Sequence, residues 1–318
     1  REVEKIVISK KGKRCLVGLS GGFDSCYALY YVKEILGLDP IAFTYDWGLT
    51  TDIARVNQSI MCEKLKVEHI IRTDNMVKKR SYIKKNINAW FKKPHPGLIP
   101  LFMAGDKKFL HYEHKLKKEL NIEYSFFGTG SGGENRPFYY MYANTSLKKS
   151  FDHGKMSSMK LDTKLKLMLF YGINFIKNPS LINSSLLNSA MAYYYSFFEN
   201  YNYISLFKYL DISNEEKNKF LIDNFDLKTD HKYGKEIWRM GDGQSSFNNL
   251  LFASMCGFTE IDDQISSSIR NKEISRNDAF ERIISHNLPK EDMLQYFFDL
   301  ISIDSNKTLE KVLLLKSF

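Results

Sequence analysis

Arg14 to Leu19 is a short apolar run, and it ends in Ser20-Gly21-Gly22-Phe23-Asp24-Ser25 just before a stretch of helical periodicity. This sequence of strand, glycine turn and helix constrains the fold more than any other segment. The pattern then repeats. Asp24 to Leu36 reads as a helix with Gly37 as its stop, Pro40 to Tyr45 as a strand, and Thr51 to Leu65 as a second helix that starts with cap candidates. Glu68 to Arg72 reads as a third strand, and Asp74 to Phe91 as a long basic helix. Prolines make 93–100 a loop. A helix over 106–120 and a fourth strand over Glu123 to Phe127 follow. Short apolar runs separated by helices predict right-handed βαβ units, and hence an α/β fold with a doubly wound parallel sheet. Ligands of such sheets bind beyond the carboxyl ends of the strands. Two glycine-rich loops, Ser20 to Ser25 and Gly128 to Arg136, both follow strands, so both are expected at one edge and in one site.

From about residue 145 the rhythm changes. Aromatic-rich helical patterns dominate at 165–176, 190–209, 246–256, 277–286 and 291–303. The expected division is a first domain over 1–145 and a mainly helical domain over 146–318. Few cysteines, no paired C-x-x-C, no apolar run of membrane-spanning length and no secretory leader suit a cytoplasmic chain without a membrane span. The chain carries 46 Lys and Arg against 37 Asp and Glu, a net charge of +9, which could serve nucleic acid or phosphorylated small molecules. Its lysines gather at 78–93 and 107–118 at helical spacing, which reads as solvated helix faces rather than a nucleic-acid surface.

The Ser20 to Ser25 string has the chemistry of an anion cradle. Backbone N–H groups of a glycine turn at a helix N-terminus point at a bound anion, and Ser20 and Ser25 add hydroxyls. Asp24 suits a helix cap, or a partner for a Mg²⁺ that phosphates also bind. The Walker and dinucleotide glycine patterns are both absent. Cys26 follows the string directly but belongs to a helix start and reads as core.

The string resembles S-G-G-x-D-S, the signature of the PP-loop ATP pyrophosphatases, whose fold is of the adenine nucleotide alpha hydrolase kind. That superfamily cleaves ATP between the α- and β-phosphates and transfers AMP to a substrate oxygen, which a nucleophile then displaces. The resemblance implies that Ser20, Gly21, Gly22, Asp24 and Ser25 bind the pyrophosphate with Mg²⁺, and that Asp46 at the end of the second strand approaches adenosine. It implies that Gly128 and Glu134 line the second loop, and that Arg136 stabilises phosphate charge. For Asp46 a plain loop cap, and for Glu134 and Arg136 a loop ion pair, stay open.

Trp238-Arg-Met-Gly-Asp-Gly-Gln-Ser-Ser-Phe247, Gly257 to Asp263, Ser268 to Arg270 and Ile274 to Phe280 resemble the C-terminal module of the N-acetyl sugar amidotransferase family of bacterial surface-polysaccharide biosynthesis. That resemblance implies an enzyme that activates the amide oxygen of an N-acetyl sugar, free or nucleotide-linked, with ATP. Ammonia from a glutaminase subunit, one resembling that of imidazole glycerol phosphate synthase, would then make an acetamidino group. Arg239, Arg270 and Asp242 would grip sugar or ammonia; helix caps or salt bridges are the other reading of these three. Many members carry a cysteine-rich segment, suggestive of Zn²⁺, before the loop; this sequence begins at Arg1, after that point. No glutaminase signature occurs in the sequence, so ammonia is expected from a partner or solution. The alternative is a PP-loop tRNA-modifying enzyme of thiolase or lysidine type, favoured by the positive charge and opposed by the missing cysteine pair. A non-enzymatic nucleotide-binding subunit is the third reading, opposed by the complete Ser20 to Ser25 string.

Overall fold

The computed structural model describes residues 13–129, 159–199, 203–210, 212–229 and 244–317. Five parallel strands form one sheet: β1 (Arg14–Gly18), β2 (Asp39–Asp46), β3 (His69–Thr73), β4 (Ser125–Phe127) and β5 (Ile204–Ser205), in the order β3-β2-β1-β4-β5. The helices of the first half are α1 (Phe23–Tyr30), α2 (Asp52–Leu65), α3 (Met76–Trp90) and α4 (Lys108–Glu119). Those of the second half are α5 (Leu161–Lys177), α6 (Leu186–Phe197), α7 (Asn214–Phe225), α8 (Ser245–Cys256), α9 (Glu260–Arg270), α10 (Arg276–His286), α11 (Glu291–Leu300) and α12 (Ser305–Leu313). The chain therefore has the α/β doubly wound architecture, with a mainly helical second half. No described helix is long and apolar enough to cross a membrane.

Strand alternation explains the two layers. In β1, Cys15, Val17 and then Leu19 face one layer, with α1, α2 and α7. Leu16 faces the other, with Ile41, Phe43 and helices α3, α4, α8 and α11. Both faces are covered, so the strands need apolar residues at successive positions, which is why they lack a polar alternation. The second layer is strongly aromatic: Trp90, Phe102, Phe247, Phe297 and Phe298 are almost wholly buried.

The structure differs from the expectations in four places. The segment read as helix over 190–209 stops at Phe197, and Ile204–Ser205 joins the sheet beside β4. Two residues are too short to show a period. The proline-rich stretch 93–100 enters a 3-10 helix over Pro96–Met103, whose Leu98, Ile99 and Phe102 are core. Pro96 stands in its first turn, where a missing N–H costs nothing. The lysine-rich helices are not solvated throughout, because Lys79 and Lys117 are buried. Finally, α7 was not anticipated. Its start is a capping box in which Ser213 accepts from the Glu216 N–H while Glu216 accepts from the Ser213 N–H. Leu221 and Phe225 seat this second-half helix on α1 in the same apolar layer as β1. The expected domain boundary near 145 lies outside the described residues.

Candidate active site at the β1–α1 turn

The chain runs outward from β1 to β2 and β3 on one side and to β4 and β5 on the other. The order therefore reverses between β1 and β4, where open α/β sheets form their ligand crevice. The loops that flank it are the two glycine-rich ones. Gly18 and Phe127 are register partners at the carboxyl ends of these strands.

The turn after β1 is tightly specified. Gly21 sits at φ 85°, and a Cβ there would come within 2.2 Å of the Ala54 carbonyl oxygen. Both facts require glycine. From α2, Asn57 donates to the Gly21 carbonyl at 3.3 Å and also brackets Lys228, donating to its carbonyl and accepting from its N–H at 2.8 Å. Inside the turn the Ser25 hydroxyl donates to the Gly22 carbonyl at 2.9 Å and accepts from the Ser20 N–H at 3.0 Å. The Ser20 and Ser25 hydroxyl oxygens are 3.0 Å apart, and Ser20 is exposed. The Ser20 hydroxyl also accepts from the Gly22 N–H at 3.4 Å, so both hydroxyls brace the loop and Ser20 does so at the surface.

Helix α1 has no side-chain cap. Gly22 at its N-cap has no hydroxyl or carboxylate to offer the first turn. The N–H groups of a helix's first turn lack intrahelical acceptors, and the helix dipole adds partial positive charge there. Gly128 then closes the approach. A Cβ on it would lie 2.4 Å from the Asp24 carbonyl oxygen and 2.9 Å from the Ser25 nitrogen. The two expected glycine loops thus meet backbone to backbone, and only glycine lets them do so.

Asp24, on the first turn, is ion-paired with Lys217 of α7. The Lys217 side chain is 2% exposed and that of Asp24 44%. Lys217 also donates to Asn214 Oδ1 at 2.6 Å, and its ammonium lies 4.8 Å from the centre of the Phe207 ring. A buried ammonium needs such partners, since desolvation disfavours its charge. The pair ties α7, from the other half of the chain, to the β1–α1 turn. Lys217 is the residue at this turn that the sequence alone did not point to. The signal available was the Ser213-x-x-Glu216 capping box, which starts a helix whose Lys217 falls on the side of Leu221 and Phe225.

Asp46 ends β2 and is buried, with its carboxylate already occupied. Oδ1 accepts from the Gly48 N–H at 2.8 Å and the Thr50 hydroxyl at 3.2 Å, and Oδ2 pairs with Arg55 at 2.7 Å. These contacts fix the loop that follows β2 at the carboxyl edge of the sheet. Two positions earlier, Thr44 donates to the Leu19 carbonyl at 2.5 Å and accepts from His69 Nε2 at 2.8 Å, so β2 is tied to the residue that follows β1 and to the first residue of β3. Burial pushes the His69 pKa down, which favours the neutral ring this arrangement uses.

A second polar cluster stands at the end of β3. Asp74 accepts from Lys108 at 2.8 Å and 3.0 Å, from Tyr112 at 2.9 Å and from Tyr45 at 3.1 Å, and Lys79 approaches at 3.2 Å. Burial raises the Asp74 pKa, but hydrogen bonds from Lys108, Tyr112 and Lys79 outweigh it and hold the carboxyl down at about 2. The cluster locks α3 and α4 onto the sheet edge.

Glu134, Arg136, Arg239 and Asp242 lie outside the described residues. Arg270 is exposed in the last turn of α9, which packs with α10 in a small apolar cluster of Ile261, Ile265 and Ala279. Among the described residues no group of three His, Cys, Asp or Glu side chains is gathered to hold a metal ion. Among the described residues of the β1–α1 turn, Asp24 is the carboxylate that would contribute to a Mg²⁺ site in the mode where phosphates supply most ligands. Burial raises the Cys15 thiol to about 12 and pushes Cys26 higher still, so neither is a ready nucleophile.

No family model and no curated protein matches the sequence. Among solved structures, an NH3-dependent NAD synthetase from Campylobacter jejuni, in complex with the nitrate ion, is similar at 15% identity. The match covers 63% of this chain and 94% of that one at a TM-score of 0.30. A U34-tRNA thiolase from Methanococcus maripaludis, with its [4Fe-4S] cluster, is similar at 14% identity, covering 95% of this chain and 79% of that one at a TM-score of 0.35. Likeness at this level assigns neither protein's activity to the chain.

Proposed function

We propose that the chain is an ATP-dependent amidotransferase of the PP-loop type, acting on an N-acetyl sugar. The observation that carries the reading is the first turn of α1 at the β1/β4 crevice, which has no side-chain cap, is shaped by Gly21 and Gly128, and is backed by the Asp24–Lys217 ion pair. A polyphosphate suits that combination of backbone donors, the hydroxyl of exposed Ser20 and an ammonium behind the turn that Asp24 would share with the phosphates.

In this reading the β- and γ-phosphates lie on the turn, bound by the α1 N–H groups and Ser20, with Ser25 keeping the loop in shape. The sugar's amide oxygen attacks the α-phosphorus, the bond from that phosphorus to the bridging oxygen breaks, and pyrophosphate leaves with the electron pair. Lys217 offsets the charge that gathers on the leaving group. Ammonia then adds to the activated carbon, loses protons to solvent, and AMP departs with the former amide oxygen. Positioning and charge neutralisation suffice for this chemistry, and no protein nucleophile is needed. Mg²⁺, held by Asp24 together with the phosphates, would add further neutralisation. Arg136 and Glu134 are proposed for the phosphate side, Arg239 and Asp242 for sugar and ammonia, Asp46 for the loop that faces adenosine, and a glutaminase subunit for the ammonia supply. The division at residue 145 into an ATP domain and a substrate domain belongs to the same proposal.

The net charge of +9 favours a second reading, a PP-loop enzyme that modifies tRNA. The raised thiols of Cys15 and Cys26 weigh against its thiolase form. Product analysis with ATP, Mg²⁺, ammonium and a panel of free and nucleotide-linked N-acetyl sugars tests the proposal. Sugar-dependent pyrophosphate release, with oxygen replaced by NH in one sugar, is expected. Pyrophosphate release that needs tRNA and ignores every sugar would overturn it in favour of the second reading.

A further inference from the structure

The peptide that joins Gly21 to Gly22 has two ways to stand. No cis peptide occurs among the described residues, so its carbonyl and its N–H point in opposite directions. A half-turn of the peptide plane exchanges them, and it changes only the ψ of Gly21 and the φ of Gly22. Neither residue has a β-carbon to oppose that turn. In one state the Gly22 N–H faces the side where an anion would lie. In the other the Gly21 carbonyl faces it, and the negative end of that dipole repels a phosphate. In this structure the Gly21 carbonyl is turned toward α2, where the Asn57 side chain donates to it at 3.3 Å. The Gly22 N–H points the other way, to the Ser20 hydroxyl oxygen at 3.4 Å, at the surface.

Asn57 is built to hold that orientation. It lies three residues after Ala54, on the same face of α2, and both are 0% exposed. The turn rests on this face, since a Cβ on Gly21 would come within 2.2 Å of the Ala54 carbonyl oxygen. Asn57 Nδ2 also donates to the Lys228 carbonyl at 3.1 Å, and its Oδ1 accepts from the Lys228 N–H at 2.8 Å. These two bonds to one residue fix which end of the amide is the nitrogen, and that end is the one that meets Gly21. Rotating the amide would break all three bonds at a place without solvent. A Gly21 carbonyl deprived of this donor would be left unpaired on the buried side, which favours the turned peptide.

We infer that Asn57 is a positioning residue for phosphate binding, which locks the Gly21–Gly22 peptide with its N–H toward the anion; the inference rests on the ATP reading proposed above. Asn57 does not touch the anion. It acts through Gly22, and through Lys228 it ties the same lock to the segment that follows α7. A residue that merely packs α2 against Lys228 would change the stability of the chain and leave the ATP affinity of the folded protein as it was.

The test is a double-mutant cycle on the full chain. ATP binding with Mg²⁺ is measured by titration calorimetry well below the unfolding range of each variant, which urea unfolding establishes. Asn57→Leu keeps the bulk and removes the donor. Gly22→Ala forbids the turned peptide: the observed φ of −76° suits alanine, and its Cβ would meet nothing nearer than the Ser20 hydroxyl oxygen at 3.5 Å. The turned peptide would need a φ of roughly +100° at that residue, which a β-carbon excludes. Asn57→Leu is expected to weaken ATP binding about 10-fold in the native background. Measured against Gly22→Ala alone, the same change is expected to cost less than about 3-fold. Asn57→Ala carries the same cycle should the leucine variant fail to fold. Equal ATP affinity in wild type and Asn57→Leu overturns the inference and leaves the ATP reading standing, as does a loss of the same size in both backgrounds. Wild type that binds no ATP removes the reading and the inference together.

Discussion

Replacing Lys217 by Met separates the proposed phosphate role from a structural one. Lys217 is 1% exposed and reaches Asp24, Asn214 and the face of Phe207. Met keeps most of the buried stem and its contact with the ring. The change leaves Asp24 without its ammonium, but the Asp24 side chain is 44% exposed and water can take over. Asn214 loses one donor. The expected loss of stability is therefore about 1–2 kcal/mol, at the low end for a broken ion pair, because no charge is left buried and alone. The opposite truncation, Asp24→Ala, strands a buried ammonium and is expected to cost about 3–5 kcal/mol. In catalysis the order reverses in kind: Lys217→Met removes a fixed cation from the leaving group and is expected to slow pyrophosphate release about 10²–10³-fold. Urea unfolding and a coupled pyrophosphate assay on the same preparations read both quantities. Wild-type turnover in a Lys217→Met protein that unfolds at a lower urea concentration would refute the reasoning, since Lys217 would then hold α7 in place and nothing more.

Other outcomes follow from the same structure. Gly128→Ala forces a methyl against the backbone of Asp24 and Ser25, which cannot swing aside as a side chain can; a loss of about 1–3 kcal/mol and weaker ATP binding are expected, and wild-type values for both would remove the close approach from the account. Asp74 has its carboxyl held at about 2 against an ordinary 3.8, so it stabilises the fold above pH 3.8 and loses that contribution as pH falls toward 2. Asp74→Asn should consequently be less stable than wild type near neutrality and converge on it in acid, whereas a constant gap in unfolding free energy from pH 6 to about 2 would contradict the assignment. In the native protein at pH 8, Cys15 and Cys26 should resist Ellman's reagent until denaturant is added; rapid labelling of Cys26 would revive it as a nucleophile.

The first half of the fold is legible because its punctuation is local. Gly21 and Gly22 end β1 and open α1, Thr51 and Asn75 cap α2 and α3, and Gly37 falls where the α1 segment, which closes in a π-helical turn over Tyr31–Ile35, gives way to β2. Each strand there is long enough to show as an apolar run. β5 is not, and its place is set by pairing with β4 rather than by anything in Ile204–Ser205. The proline stretch misleads for a related reason: Pro96 and Pro100 exclude an α-helix but fit a 3-10 turn that Leu98, Ile99 and Phe102 anchor in the core. The phosphate-type turn could be read from six consecutive residues. Its cation could not, because Lys217 is 193 residues from Asp24 and stands in a polar stretch whose apolar side is carried by few residues. Asp46 shows the converse limit, since the sequence places a carboxylate at a strand end but only the fold shows that Gly48, Thr50 and Arg55 hold it.

The most direct test of the central claim is where ATP is cut. Wild-type chain is incubated with α-labelled ATP, Mg²⁺, ammonium and the N-acetyl sugar panel, and nucleotide and phosphate products are resolved together. The account predicts AMP and pyrophosphate in equal amounts, in step with the aminated sugar and strongly reduced in Lys217→Met. ADP and inorganic phosphate as the products, or no cleavage by a folded chain that binds ATP and has ammonia and every sugar available, would contradict it.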